Sequence, residues 1–217
     1  MGEVKKILII DDHPVSRDGI TMLIETENDL SVCSHASSLE EAEKKIKELE
    51  PDLIILDLSL NGELDGLKLI KTVTSEDFGI CCKILVLSMH DEKFYAERVI
   101  KAGALGYVMK KEPIDVILAA IRKVLSGGIT ISEKVSDQIL KNIMNKRKPD
   151  IKKTSISDSE LEVLLYLGKG YRPKEIASLL KHSVKNLEYI CRCLREKTGS
   201  ATLSELIKYA IQWRNPA

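Results

Sequence analysis

The sequence predicts a doubly wound α/β domain on a five-stranded parallel sheet, followed by a small all-α domain. Three observations predict it. Short apolar runs alternate with segments of helical periodicity through residues 1–128, which calls for a parallel sheet covered on both faces. The alternation then stops, and residues 154–217 carry helical patterns alone. Between the two regions lies NKRKPDIKKTS (145–155), which has a proline, alternating charge and no apolar face, as a solvated linker does.

KILII (6–10) is the first predicted strand, followed by LSVCSH (30–35), LIIL (53–56), KILVL (83–87) and LGYVM (105–109). LIIL has no polar interruption, the mark of a strand buried on both faces. Apolar spacing predicts helices over Gly19–Glu27, Leu39–Leu49, Leu67–Thr74, Phe94–Ala102 and Ile114–Leu125, each completing a right-handed crossover. Gly127 and Gly128 close this domain, 1–128. Val135, Ile139, Ile143 and Met144 predict a helix over 132–145, within a connecting segment of 129–153. Ser157 and Glu160 form a capping box ahead of Leu161, Val163 and Leu164, and open the second domain, 154–217. Its further helices, expected near 173–181, 183–198 and 202–213, make a helix-turn-helix unit with a closing helix.

Charge is balanced overall, with 33 basic and 33 acidic residues, but it is not evenly spread. Residues 1–128 carry about −7 and residues 151–217 about +5, which suits a signal-receiving part joined to one that meets a polyanion. No apolar run is long enough to span a bilayer, and MGEVKKILII runs into a strand without a cleavage pattern, so a cytoplasmic protein with no membrane partner is expected. The five cysteines (Cys33, Cys81, Cys82, Cys191, Cys193) include no C-x-x-C pair, so neither a disulfide framework nor a zinc site is signalled.

Chemistry concentrates at strand ends. Asp11 and Asp12 follow the first strand, Asp57 ends the third, Ser88 ends the fourth and Lys110 follows the fifth. In a doubly wound sheet these positions emerge at one carboxyl edge, beside the point where strand order reverses. Three carboxylates there repel, so one stays protonated or a hard cation such as Mg²⁺ neutralises them. With a cation and the Lys110 ammonium nearby, Asp57 is placed to accept a phosphoryl group in line. His13 and His90 lack ligand spacing and read as ordinary polar residues.

IIDDHPVSRDG, LIILDLSL, VLSMH and GYVMKK, in this order at strand ends, resemble the flavodoxin-like receiver domain of two-component response regulators. The resemblance implies Asp57 as phosphoacceptor, with Asp11, Asp12, Asp57 and the Ser59 carbonyl holding Mg²⁺. It also implies that Lys110 pairs with the phosphate and that Ser88 and Tyr107 form a hydroxyl–aromatic switch. Two departures from the family pattern concern the loops: Asn61 stands where a proline is usual, with Asp65 and Gly66 one residue late, and Lys111 follows Lys110 where proline is frequent.

ISDSELEVLLYLGKGYRPKEIASLLKHSVKNLEYICRCLREKTGSATLSELIKYA resembles the four-helix DNA-binding domain of the NarL/LuxR class. The helix 183–198 is expected to bury Leu187, Ile190, Cys191 and Leu194, and to present Lys185, Glu188, Tyr189, Arg192 and Glu196 to the major groove of double-stranded DNA. Lys174 and Lys197 are further expected contacts, and Lys169, Arg172, Lys181 and Arg195 are candidates for phosphate. The departures cluster here, with Glu188 at a usually basic position, Asn186 for Thr, Ile190 for His and Ser159 for Arg.

Together these readings predict a response regulator rather than an enzyme. A sensor histidine kinase phosphorylates it, and a homodimer formed on phosphorylation binds DNA. An output that docks on protein is the alternative, motivated by Glu188 and Glu196. A phosphatase of the haloacid dehalogenase type needs a second Asp two residues after the nucleophile, where this chain has Ser59.

Overall fold

The computed structural model describes residues 3–60, 65–80, 82–145 and 156–214. The chain divides into two compact units, Met1–Arg147 and Lys148–Ala217.

The first unit is a five-stranded parallel sheet in which β1 (Lys5–Ile10), β2 (Leu30–Ala36), β3 (Leu53–Leu56), β4 (Lys83–Ser88) and β5 (Gly106–Met109) lie in the order β2-β1-β3-β4-β5. Helices α1 (Pro14–Glu25), α2 (Leu39–Leu49), α3 (Asp65–Val73), α4 (Glu92–Lys101) and α5 (Ile114–Leu125) follow the strands in turn. The four residues of β3 are all buried, as a strand covered on both faces must be. Ile7, Ile9, Leu53, Ile55, Leu85 and Leu87 point to one face and pack against Ile20 and Ile24 of α1 and Ile117, Ile121 and Val124 of α5.

All five expected strands and crossover helices are present, with shifted boundaries. Helix α1 begins at Pro14, five residues before the expected Gly19, because proline suits the first turn, where its missing N–H is no loss. Apolar spacing hid this turn, since Val15 is 87% exposed. Helix α4 starts at Glu92, where the Asp91 side chain accepts a hydrogen bond from the Lys93 N–H. A 3-10 turn over Glu76–Phe78 carried no signal, being too short for periodicity.

Helix α6 (Glu133–Asn145), in the expected connecting segment of 129–153, falls in the same compact unit as the sheet. Thr130 extends the β5 edge: its N–H donates to Leu105 O at 2.9 Å and its carbonyl accepts from the Tyr107 N–H at 2.8 Å. Ser132 Oγ donates to Glu92 Oε1 at 2.7 Å, tying the start of α6 to the start of α4, and Val135 is buried. The side chains of Ile143 and Met144 lie outside the described residues.

The second unit contains α7 (Asp158–Gly168), α8 (Pro173–Leu179), α9 (Val184–Thr198) and α10 (Leu203–Arg214). The Ser157–Glu160 capping box forms as expected. The turn between α8 and α9 passes through Lys181 at φ 53°, and Ser183 caps α9 by accepting from Asn186 N. No helix among the described residues is long and apolar enough to cross a membrane.

Candidate functional site

The carboxyl edge of the sheet gathers the acids. Asp11 is 1% exposed and Asp57 6%, so both carboxylates are buried where β1 and β3 end side by side. Backbone pairing fixes them, because the Asp57 N–H donates to Ile10 O at 2.8 Å and the Asp11 N–H to Ala36 O at 3.0 Å. Lys110 Nζ donates to Asp11 Oδ2 at 2.7 Å and to Asp57 Oδ2 at 2.8 Å. One ammonium thus bridges two buried carboxylates that are distant in the chain. The Lys110 backbone N–H is itself held by Ser88 O at 2.9 Å, so pairing of the β4 and β5 ends aims this lysine.

Burial favours the neutral form of Asp11, yet its folded pKa lies below the ordinary value. The Lys110, Ser16 and His13 hydrogen bonds together outweigh the desolvation. Lys110 is raised for the mirror reason: desolvation opposes its charge, and Asp57 and Asp11 more than restore it. Burial pushes the Tyr107 phenol upward, so this hydroxyl stays protonated at physiological pH.

Asp11, Asp12, His13 and Asp57 each offer one ligand atom, and these atoms lie within 4.8 Å of one another. Asp11 and Asp57 share the one Lys110 ammonium, and the clustered carboxylate oxygens are the hard donors that a small cation such as Mg²⁺ takes.

Ser88 is fully buried, and its Oγ accepts from the His90 N–H at 3.3 Å. Tyr107 is 2% exposed, its ring turned inward and its hydroxyl donating to His90 O at 2.7 Å. The expected switch pair is therefore linked through the backbone of His90. Ser59 N–H approaches Asp57 Oδ1 at 3.4 Å, while Ser59 Oγ lies 2.8 Å from His90 Nε2. The departure at Asn61 lies outside the described residues.

Spacing gave no sign of several neighbours. Ser16 Oγ donates to Asp11 Oδ2 at 2.7 Å, and His13 Nδ1 sits 2.7 Å from Asp12 Oδ1. Gly66 is needed by close approach, since a Cβ there would lie 2.8 Å from Asp57 O and 2.8 Å from Leu58 Cα. An Asp-Gly pair just after a strand was the available signal.

In the second unit α9 buries Leu187, Ile190, Cys191 and Leu194, as its spacing required. Lys185, Glu188, Tyr189, Arg192 and Glu196 are exposed, as is Lys174 on α8. Lys197, an expected DNA contact, is engaged within the unit: its Nζ donates to Glu160 Oε2 at 2.6 Å and Oε1 at 2.8 Å, with side-chain exposures of 18% and 9%, so it braces α9 against α7. Burial opposes the Glu160 charge, but Lys197 and the Ser157 N–H hold its pKa below the ordinary value.

A doubly wound sheet in the order 2-1-3-4-5, with a lysine-bridged acidic pocket at its carboxyl edge and a separate helical unit, places the chain in the flavodoxin-like class, whose members bind their ligands at that edge. Residues 7–122 match the response regulator receiver domain. Over 212 residues the chain is 35% identical to the oxygen regulatory protein NreC of Staphylococcus aureus, covering 95% of this chain and 97% of that one. A LuxR-family two-component response regulator from Aurantimonas sp. SI85-9A1 superposes with a TM-score of 0.58 at 29% identity, over 65% of this chain and 99% of that one. RcsB of Salmonella enterica serovar Typhimurium, solved on the rprA promoter with the phosphomimetic BeF3-, shares the fold at a TM-score of 0.68 and 23% identity, over 96% and 99% of the two chains. The chain belongs to the two-component response regulators of the NarL/LuxR class.

Proposed function

We propose that this chain is a DNA-binding transcription regulator switched by phosphorylation of Asp57. The observation that carries the reading is the Lys110 bridge to Asp11 and Asp57 at the sheet edge. A sensor histidine kinase is the donor. An Asp57 carboxylate oxygen attacks the phosphorus in line, and an O–P bond forms as the P–N bond of the donor phosphohistidine breaks. The imidazole leaves with that electron pair and takes up a proton. Lys110, already 2.8 Å from Asp57 Oδ2, then pairs with a phosphoryl oxygen. Asp11, Asp12, Asp57 and the Ser59 carbonyl would hold Mg²⁺, which offsets the charge of the carboxylates and the incoming phosphoryl group.

The switch follows from the contacts at Ser88 and Tyr107. A phosphoryl oxygen draws the Ser88 hydroxyl, which loosens its bond from the His90 N–H and favours one seating of the Tyr107 ring. Turning a largely inactive population into a largely active one takes about 5 kcal/mol of such preference. The active form is a homodimer whose paired α9 helices enter successive major grooves, with Lys174 and Lys185 on phosphates. Its setting is the cytoplasm.

The test is incubation of the full chain with acetyl phosphate and Mg²⁺, alongside Asp57→Asn. Acid-stable, hydroxylamine-labile incorporation into the first alone is expected, and equal incorporation into both overturns the assignment of Asp57. Selection from random duplex DNA with each form then tests the output. Failure to enrich any sequence in either state refutes DNA binding and leaves the protein-docking output.

A further inference from the structure

The exposed face of α9 carries an unusual pair for a helix that meets DNA, the acid Glu188 and the base Arg192, one turn apart. Four residues along a helix rise about 6 Å, so the two heads address base pairs one or two steps apart in a groove. Spacing of i,i+4 would let them neutralise each other. The structure shows another arrangement: the Arg192 guanidinium lies over the Tyr189 ring, 5.2 Å from its centroid. Tyr189 is 56% exposed, so this stack stands on the surface, while Leu187, Ile190, Cys191 and Leu194 anchor the helix beneath it.

A carboxylate brought among phosphates is repelled unless a base offers it donors. In the major groove the donors are the exocyclic amines, and cytosine N4 suits a group that only accepts. A guanidinium has the opposite needs, met by the two acceptors of guanine, O6 and N7. A ring that carries the guanidinium restricts its freedom in advance, so less is lost on binding.

We infer that Glu188 and Arg192 are specificity-determining residues that read a cytosine and a guanine within each half-site, with Tyr189 positioning Arg192. This rests on the DNA-binding reading above and adds the base content of the target. Discrimination at each of the two base pairs is expected to be roughly 5- to 150-fold, the usual effect of one mismatched pair.

The test is selection from random duplex DNA by the full chain, phosphorylated, followed by binding to the enriched duplex and its single-base-pair variants. The enriched half-site is expected to fix one cytosine and one guanine within three base pairs. An amide donates and accepts, so Glu188→Gln moves the preference at the cytosine position to adenine. Arg192→Gln does the same at the guanine position. Tyr189→Leu flattens the guanine preference with Arg192 intact, and Tyr189→Phe restores it, a pattern that mere loss of helix stability would not give. An enriched sequence whose base preferences ignore Glu188→Gln and Arg192→Gln overturns this inference and spares the DNA-binding reading. No enrichment by the unaltered chain overturns both.

Discussion

Lys110 is the residue on which the pocket balances. It is 12% exposed at the side chain and pairs with two carboxylates that are 2% and 7% exposed. Removing one partner from a buried ion pair leaves uncompensated charge and costs about 3–5 kcal/mol. Lys110→Met is therefore expected to lower the urea midpoint in metal-free buffer at pH 7, and Mg²⁺ to restore part of it; an unchanged midpoint would show the bridge to be idle. The pH dependence has a fixed sign. Asp11 has a folded pKa below its ordinary 3.8, so its contribution is complete above that pH and fades as pH falls through the lowered value. Lys110 is raised above 10.5, so its contribution is complete below that pH and fades as pH rises through the raised value. In Lys110→Met, Asp11 keeps its desolvation and loses its strongest hydrogen-bond support, so its folded pKa rises, and the stability deficit of the variant against the parent, read by urea unfolding, should shrink as pH falls from 7 toward 4; a deficit that grew on acidification would show that Lys110 does not hold this carboxylate charged. Gly66 is a second sensitive point. A methyl group there meets backbone at 2.8 Å, and Gly66→Ala is expected to cost about 1–3 kcal/mol in denaturant unfolding while displacing the Asp57 loop.

Among the elements, α7 and α9 are joined by the Glu160–Lys197 pair, and Glu160 also completes the α7 capping box by accepting from the Ser157 N–H at 2.6 Å. One carboxylate thus ends a helix and braces another. Lys197→Met strands that charge and should lower the thermal midpoint of the second unit, at a cost of about 3 kcal/mol. A lysine that merely touched DNA phosphate would instead reduce the salt slope of binding and leave the midpoint alone. Sequence spacing sorted the faces of α9 correctly, because burial on a helix follows a 3.6-residue period. It gave no sign of the Glu160–Lys197 pair, because a charge pattern cannot say which acid a lysine meets 37 residues away. The start of α1 escaped for a related reason, since its first turn is set by Pro14 rather than by apolar residues.

For the whole molecule, phosphorylation is expected to act through assembly. Sedimentation of the full chain with and without beryllofluoride and Mg²⁺ should show a shift from monomer to dimer that Asp57→Asn abolishes, and a shift in the variant as well would uncouple assembly from this site. The sequence alone determined the order of strands and helices, the division into an α/β unit and an all-α unit, and the acids at the ends of β1 and β3. Those features rest on local periodicity and on the rule that strand ends in a doubly wound sheet share one edge. Only the tertiary structure decided that Lys110 spans Asp11 and Asp57, that Ser16 meets Asp11 and His13 meets Asp12, that His90 meets Ser59, that α6 is tied to α4 through Ser132 and Glu92, and that Arg192 rests on Tyr189. These are meetings of side chains set by packing in three dimensions, and no pattern along one chain encodes the distance between two side-chain heads.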